Sequence, residues 1–146
     1  MWGDRMADVE YHDYSVEVKE ALSQIAWQTM EEVAGELESQ TKRNTVVDTG
    51  QTKNSWSHRV TGSMMAAEYR ADVGSNYENA IWEEFGTGEY ALNGDGRKGG
   101  WFYKDEWGIG HFTHGKHPRR PLYTAYTSLK TKLIRHMQNA FKKGLS

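Results

Sequence analysis

The chain has 146 residues, enough for one domain that buries about 70% of its unfolded surface. It contains no cysteine, which excludes disulfides, thiolate catalysis and Cys-ligated zinc, and no apolar run approaches the roughly 20 residues that span a bilayer. A net charge of −2 hides a polarity along the chain: residues 1–40 hold ten acids and two bases, residues 41–112 ten acids and eight bases, and residues 113–146 eight bases and no acid.

Residues 1–15 are expected to form a flexible arm, and the stretch MWGDRMADVEYHDY has no apolar signal core, so a soluble protein is expected. From about Val16 to Arg43 the apolar residues Val18, Ala21, Leu22, Ile25, Ala26, Met30, Val33, Ala34 and Leu37 follow the three- and four-residue steps of an amphipathic helix. Ser15 suits its N-cap, and its length suggests that part of it projects or lines a partner.

Polar turn formers take over from Thr41 to Ser57, with Asp48-Thr49-Gly50 as the sharpest signal. Trp56–Val60 and Glu68–Gly74 alternate as half-buried strands, and Thr61-Gly62-Ser63 is placed between them as the turn of a hairpin. Tyr77–Phe85 fits a short helix or a strand, and Gly86-Thr87-Gly88 stops either. Leu92–Gly100, LNGDGRKGG, is read as a mobile tip, with Trp101-Phe102-Tyr103 and Gly108–Phe112 as the strands of a second hairpin. Pro121 opens the last element at a helix's first position, and Leu122, Ala125, Tyr126, Leu129, Leu133, Met137, Ala140 and Phe141 form its apolar face. The expectation is therefore one α+β domain over residues 1–146: a long first helix, a small antiparallel sheet of about four strands with a glycine-rich hairpin loop, and a final amphipathic helix. Low hydropathy with 6 Trp, 8 Tyr and 4 Phe predicts that aromatic side chains carry much of the core.

Candidate chemistry is sparse. His111, His114 and His117 stand three apart and could ligate a metal, but Gly115 and Pro118 oppose the helix that would stack them. Glu83 and Glu84, beside Glu78, could serve as paired carboxylates; on a strand they would point to opposite faces, one solvated and one paired with a base. The glycines of LNGDGRKGG lack the pattern of a phosphate-binding loop, which leaves a segment that orders on contact with a partner. Lys116, Arg119, Arg120, Lys130, Lys132, Arg135, Lys142 and Lys143, interleaved with Tyr123 and Tyr126, could meet nucleic acid, although the two tyrosines read as core. No cofactor and no enzymatic activity are expected.

Five ordered segments carry a resemblance: the long first helix, Val46–Trp56 (VVDTGQTKNSW), Val73–Gly88 (VGSNYENAIWEEFGTG), the glycine-rich insertion ending in Gly99-Gly100-Trp101, and Gly115–Tyr126 (GKHPRRPLYTAY) leading into the last helix. In this order and spacing the chain resembles the tail-component family of long-tailed phages and prophages, the gene-ten-like proteins of the lambdoid phage HK-ninety-seven. Glu84-Phe85-Gly86-Thr87-Gly88 match the EFGTG of that family. Its usual Pro-x-Pro-Phe-Leu stands here as Pro118-Arg119-Arg120-Pro121-Leu122-Tyr123, with two arginines intruding and the phenylalanine missing.

The resemblance implies a structural virion protein, a ring-forming head–tail joining (neck) or tail-completion component, assembled in the host cytoplasm. It implies six-fold rings, partners such as the tail tube or a head-closure ring, DNA contact in the ring lumen as an open alternative, and no membrane. Asp48, Thr49, Gly50 and Glu84–Gly88 would then be structural turns. The complementary first and last helices, together with Gly94, Gly96, Arg97, Lys98, Gly99, Trp101, Arg119, Arg120, Lys130 and Arg135, would supply subunit or partner contacts. The competing expectations are a cytoplasmic nucleic-acid-binding protein and a metal hydrolase centred on the three histidines.

Overall fold

A computed structural model describes residues 15–47 and 50–145. The expected N-terminal arm and two motif residues, Asp48 and Thr49, therefore lie outside the described residues, apart from Ser15, which falls within the first helix. That helix, α1 (Ser15–Asn44), is 30 residues or about 45 Å long, and all of residues 15–21 are exposed. From Ala26 onward one side of it is covered, with Ala26, Thr29, Ala34 and Thr41 buried. The last helix, α4 (Pro121–Gly144), runs back along that side. Its antiparallel course is fixed by pairs that slide in step: the Asn44 amide donates to the Pro121 carbonyl (3.1 Å), Lys132 meets Glu36 (2.7 Å), His136 meets Glu32 (2.6 Å), and Gly144 lies against Ile25.

Between these helices the chain folds back locally. Gly50, at φ 85°, opens a single helical turn, α2 (Gln51–Asn54), whose left-handed entry suits glycine. Strands β1 (Ser57–Ser63) and β2 (Glu68–Gly74) pair antiparallel and lie on α1, tied by Ser23 to the Tyr69 hydroxyl and by His58 to Glu31 (2.9 Å). The turn of this hairpin is Met64–Ala67, not Thr61-Gly62-Ser63, which continues the strand. Gly62 is there for a different reason: it pairs with Tyr69, whose ring occupies the space a side chain would need.

Helix α3 (Glu78–Phe85) resolves the ambiguous segment as helical, stopped by Gly86 at φ 76°. Its approach is bonded to α2, since Asn79 donates to the Thr52 hydroxyl (2.6 Å) and Tyr77 to Gln51 (2.9 Å). A short 3-10 turn (Gly88–Tyr90) and the glycine-rich loop then lead to β3 (Trp101–Lys104) and β4 (Gly110–Thr113). The four strands expected from the sequence thus form two separate two-stranded ladders. LNGDGRKGG precedes the second hairpin instead of forming its tip, which is the segment from Asp105 to Ile109. There the Asp105 carboxylate accepts the N–H groups of Trp107 (3.0 Å) and Ile109 (2.8 Å), closing the turn by its own side chain.

The core is small and not aromatic. Ala26, Ala34, Ala80 and Ala125 are buried with Val60, Leu133 and Trp56, the one buried aromatic among the described residues. The expectation that aromatic side chains carry the burial is overturned: Trp27, Trp82, Trp107, Phe85, Phe102 and Phe112 are all exposed. Alanine at the helix crossing lets the two backbones approach closely, which leaves the large side chains at the margins. The buried Trp56 indole donates to the Thr45 hydroxyl (2.9 Å), which itself donates to the Thr41 carbonyl (2.7 Å). Replacing Thr45 with valine should cost about 1–2 kcal/mol in urea denaturation, because it keeps the shape but strands the indole N–H. A loss under about 0.5 kcal/mol would mean that the chain of bonds contributes nothing net.

Candidate functional site

Two of the sequence segments that carry the resemblance are locked into one junction. The backbone of α3's last turn and the Gly86–Glu89 stretch bonds directly to residues 114–120: Arg119 and Arg120 N–H to the Glu83 carbonyl (2.8 and 3.1 Å), Thr87 N–H to the Lys116 carbonyl (2.9 Å), and Glu89 N–H to the His114 carbonyl (2.9 Å). The Thr87 hydroxyl accepts the Lys116 N–H (2.8 Å). Gly88 and Gly115 face each other so closely that a methyl on either would overlap the other strand's backbone. Glycine is required here by the close approach as well as by the positive φ of both residues.

The glutamates behave differently from the sequence expectation. On a helix, neighbours stand about 100° apart instead of on opposite faces, and Glu83 and Glu84 are both buried, at 4% and 5% exposure. Glu83 holds Lys116 and Arg119, the latter at 3.6 Å. Glu84 accepts the first free N–H groups of α4, from Leu122 (2.8 Å) and Tyr123 (3.0 Å), so the EFGTG carboxylate is the cap of the last helix. Nε of Arg120 stands 4.0 Å from Glu84, within Coulombic reach but too far for a hydrogen bond. The Arg120 guanidinium lies 3.8 Å over the Tyr123 ring, and its backbone sits in the left-handed region at φ 54°.

The remaining candidate residues are dispersed. His111 donates to Asp105 (2.8 Å), His114 stands 3.4 Å from Glu89, and His117 stacks on Tyr90. Among the described residues no group of three or more His, Asp or Glu side chains is gathered as a metal site. The hydrogen bond from His111, aided by those from Ile109 and Trp107, holds the Asp105 carboxyl below its ordinary value. In the glycine-rich loop Gly94 and Lys98 are exposed, Gly96 packs on the Gly88 backbone, Arg97 lies 5.4 Å over Trp101, and Gly99 N–H reaches Glu89 (3.2 Å). Lys130 lies over Tyr126 (5.8 Å), while Arg135 is exposed on α4.

The acidic and basic helices meet within one chain. Lys132–Glu36 and His136–Glu32 join them edge to edge, so complementary faces for a second subunit are not what these residues provide. His136, donating to Glu32 with help from Gln28, holds that carboxyl below its usual value near 4.5. Because the folded value is the lower one, the pair's contribution is complete above the unfolded value and disappears as pH falls through the folded one. Glu32→Gln should therefore flatten the acid limb of a stability–pH profile below about pH 5, by under ~0.5 kcal/mol at so exposed a pair. An unchanged profile in urea titrations at stepped pH would contradict this.

Sequence reasoning missed two uncovered apolar surfaces. The first is an open groove of about 610 Å³ where α1, β2, α3 and α4 converge, walled by Met30, Val33, Leu37, Val73, Ile81, Phe85, Leu122, Tyr123, Tyr126 and Met137. Tyr123 and Tyr126, read as core, are exposed along it. The second is the β3–β4 ribbon, whose Phe102 is 80% exposed and Trp107 76%. Helical period identifies an apolar stripe but does not reveal whether the rest of the chain suffices to cover it. No described helix is long and apolar enough to cross a membrane. Comparison with protein-family models, with curated proteins and with solved structures finds no match to this chain.

Proposed function

We propose that this protein is a structural component of a tailed-phage or prophage virion, a ring-forming head–tail joining or tail-completion protein. The observation that carries the reading is the pair of uncovered apolar surfaces, since contiguous apolar exposure on a chain of this size marks contact with a partner. The junction supports it. EFGTG and GKHPRRP, which carry much of the resemblance, bond to each other and cap α4, so their residues build a scaffold and leave the groove and ribbon as working surfaces.

The test is the composition of purified particles from the phage or induced prophage that encodes the chain. Mass spectrometry should find the protein in the particles, and deletion should leave heads and tails unjoined. Joined, infective particles from the deletion, with none of the protein in the wild-type particles, would end the reading. A nucleic-acid-binding role draws on Lys130, Arg135 and Lys142, exposed along α4. It requires DNA affinity in a shift assay that falls linearly and steeply with the logarithm of salt concentration.

A further inference from the structure

The β3–β4 ribbon is bonded as a ladder only to itself, and a lone two-stranded hairpin in water is marginal. It nonetheless displays its largest side chains. Phe102 and Phe112 face one another edge to face at 4.9 Å on one side, and Trp107 and Ile109 crown the tip. From their exposures of 80%, 51%, 76% and 59%, these four alone offer on the order of 500 Å² for burial. A standard interface takes roughly 800 Å² from each partner, so the ribbon supplies more than half of one side.

The same chain carries a surface of matching character. Its groove, about 610 Å³, is walled by Val33, Leu37, Phe85, Tyr126 and Met137, and no residue of the ribbon lines it. Charge is complementary as well. The ribbon tip carries Asp105 and Glu106 side by side. Arg120 and Glu84 line the groove itself, and next to Arg120 in the chain Arg119 shares the single carboxylate of Glu83 with Lys116, so residues 116–120 carry one cation more than the carboxylates that hold them. Opposite charges at tip and rim fix orientation more than affinity.

We propose that the β3–β4 ribbon of one copy seats in the α1–α4 groove of the next, its aromatic side chains filling the groove and its acidic tip meeting the Arg119–Arg120 rim. This rests on the ring-forming reading above and specifies its interface. Ribbon and groove are different surfaces of one subunit, so the contact is head to tail and extends until a rotation closes it into a ring. Glycines at the ribbon's base, Gly99 at φ 84° and Gly100 at φ 75°, set its exit from the body.

The test uses two variants whose changes fall on exposed residues. Phe102→Ser with Trp107→Ser removes the ribbon's grip, and Tyr126→Glu places a charge in the groove that also repels the tip. In analytical ultracentrifugation the wild-type chain should assemble, and each variant should need at least tenfold higher concentration to do so. An equimolar mixture of the two should give a discrete dimer, because one intact ribbon meets one intact groove and both outer ends are dead. Variants that each assemble like the wild type would overturn this interface and leave the ring reading standing on another surface. A mixture that stays monomeric would also overturn the interface, and a wild-type chain monomeric at every concentration would overturn both. Should a variant fold poorly by circular dichroism, the absence of cysteine from the sequence permits a second measurement. Trp107→Cys in one population and Tyr126→Cys in another should cross-link through a short bismaleimide into a mixed dimer, and no such product would overturn the proposal.

Discussion

Glu84→Ala should lower the unfolding free energy by about 3 kcal/mol in chemical denaturation, one of the two largest effects expected of any single change described. The carboxylate is buried, accepts two N–H groups at the start of α4, and faces Arg120. Truncation strands both donors at the positive end of a 24-residue helix and removes the nearest anion from a half-buried guanidinium. Glu84→Gln keeps one acceptor oxygen in place and should lose less, about 2 kcal/mol. Glu83→Ala should cost less than Glu84→Ala, since the partners it frees, Lys116 and Arg119, reach water with side chains 36% and 53% exposed. A ranking with Glu83 above Glu84 would show that the ion pairs, not the helix cap, hold the junction.

Gly88→Ala should be as severe, at about 3 kcal/mol or more, with a melting temperature lower by roughly 10 °C. Two penalties coincide there. Its φ of +61° is one that side chains rarely adopt, and the added methyl would fall on the His114 carbonyl oxygen and the Gly115 α-carbon, both backbone atoms that cannot rotate away. Gly94 separates the two penalties. It has a similar φ of +71° but open space around it, so Gly94→Ala should cost only about 1 kcal/mol. If the two substitutions cost the same, close approach at the junction is unimportant and conformation alone decides.

Much of the architecture was legible because it depends on short-range rules. Three- and four-residue spacing located α1 and α4, and Pro121 marked the start of α4 to the residue. The glycines were harder to read. Gly62 looked like a turn and is a clearance for the Tyr69 ring, and the glycines of residues 92–100 looked like a hairpin tip and serve a connection, with Gly96 pressed on Gly88. At Gly62, Gly96 and Gly100 the reason for glycine is a close approach by Tyr69, Gly88 and Phe112, which no local pattern announces, whereas Gly94 and Gly99 have open space around them. Glu83 and Glu84 were misread for the same cause, since eight residues of α3 carry too little periodicity to separate helix from strand, and only the helix turns both carboxylates toward residues 116–123. The groove and ribbon were invisible because the sequence marks Tyr126 or Phe102 as apolar without stating how little of the chain reaches it.

The capping of α4 by a carboxylate 38 positions upstream also sets an order of events during synthesis. Until Pro121–Gly144 has been translated, Glu84 has no helix end to satisfy and the groove lacks the wall formed by Leu122, Tyr126 and Met137. A nascent chain or a prematurely terminated fragment would thus expose its ribbon but offer no socket. Under the proposed ribbon-in-groove interface such a fragment lacks the socket, so a copy of it that docked would end a row and could not extend it.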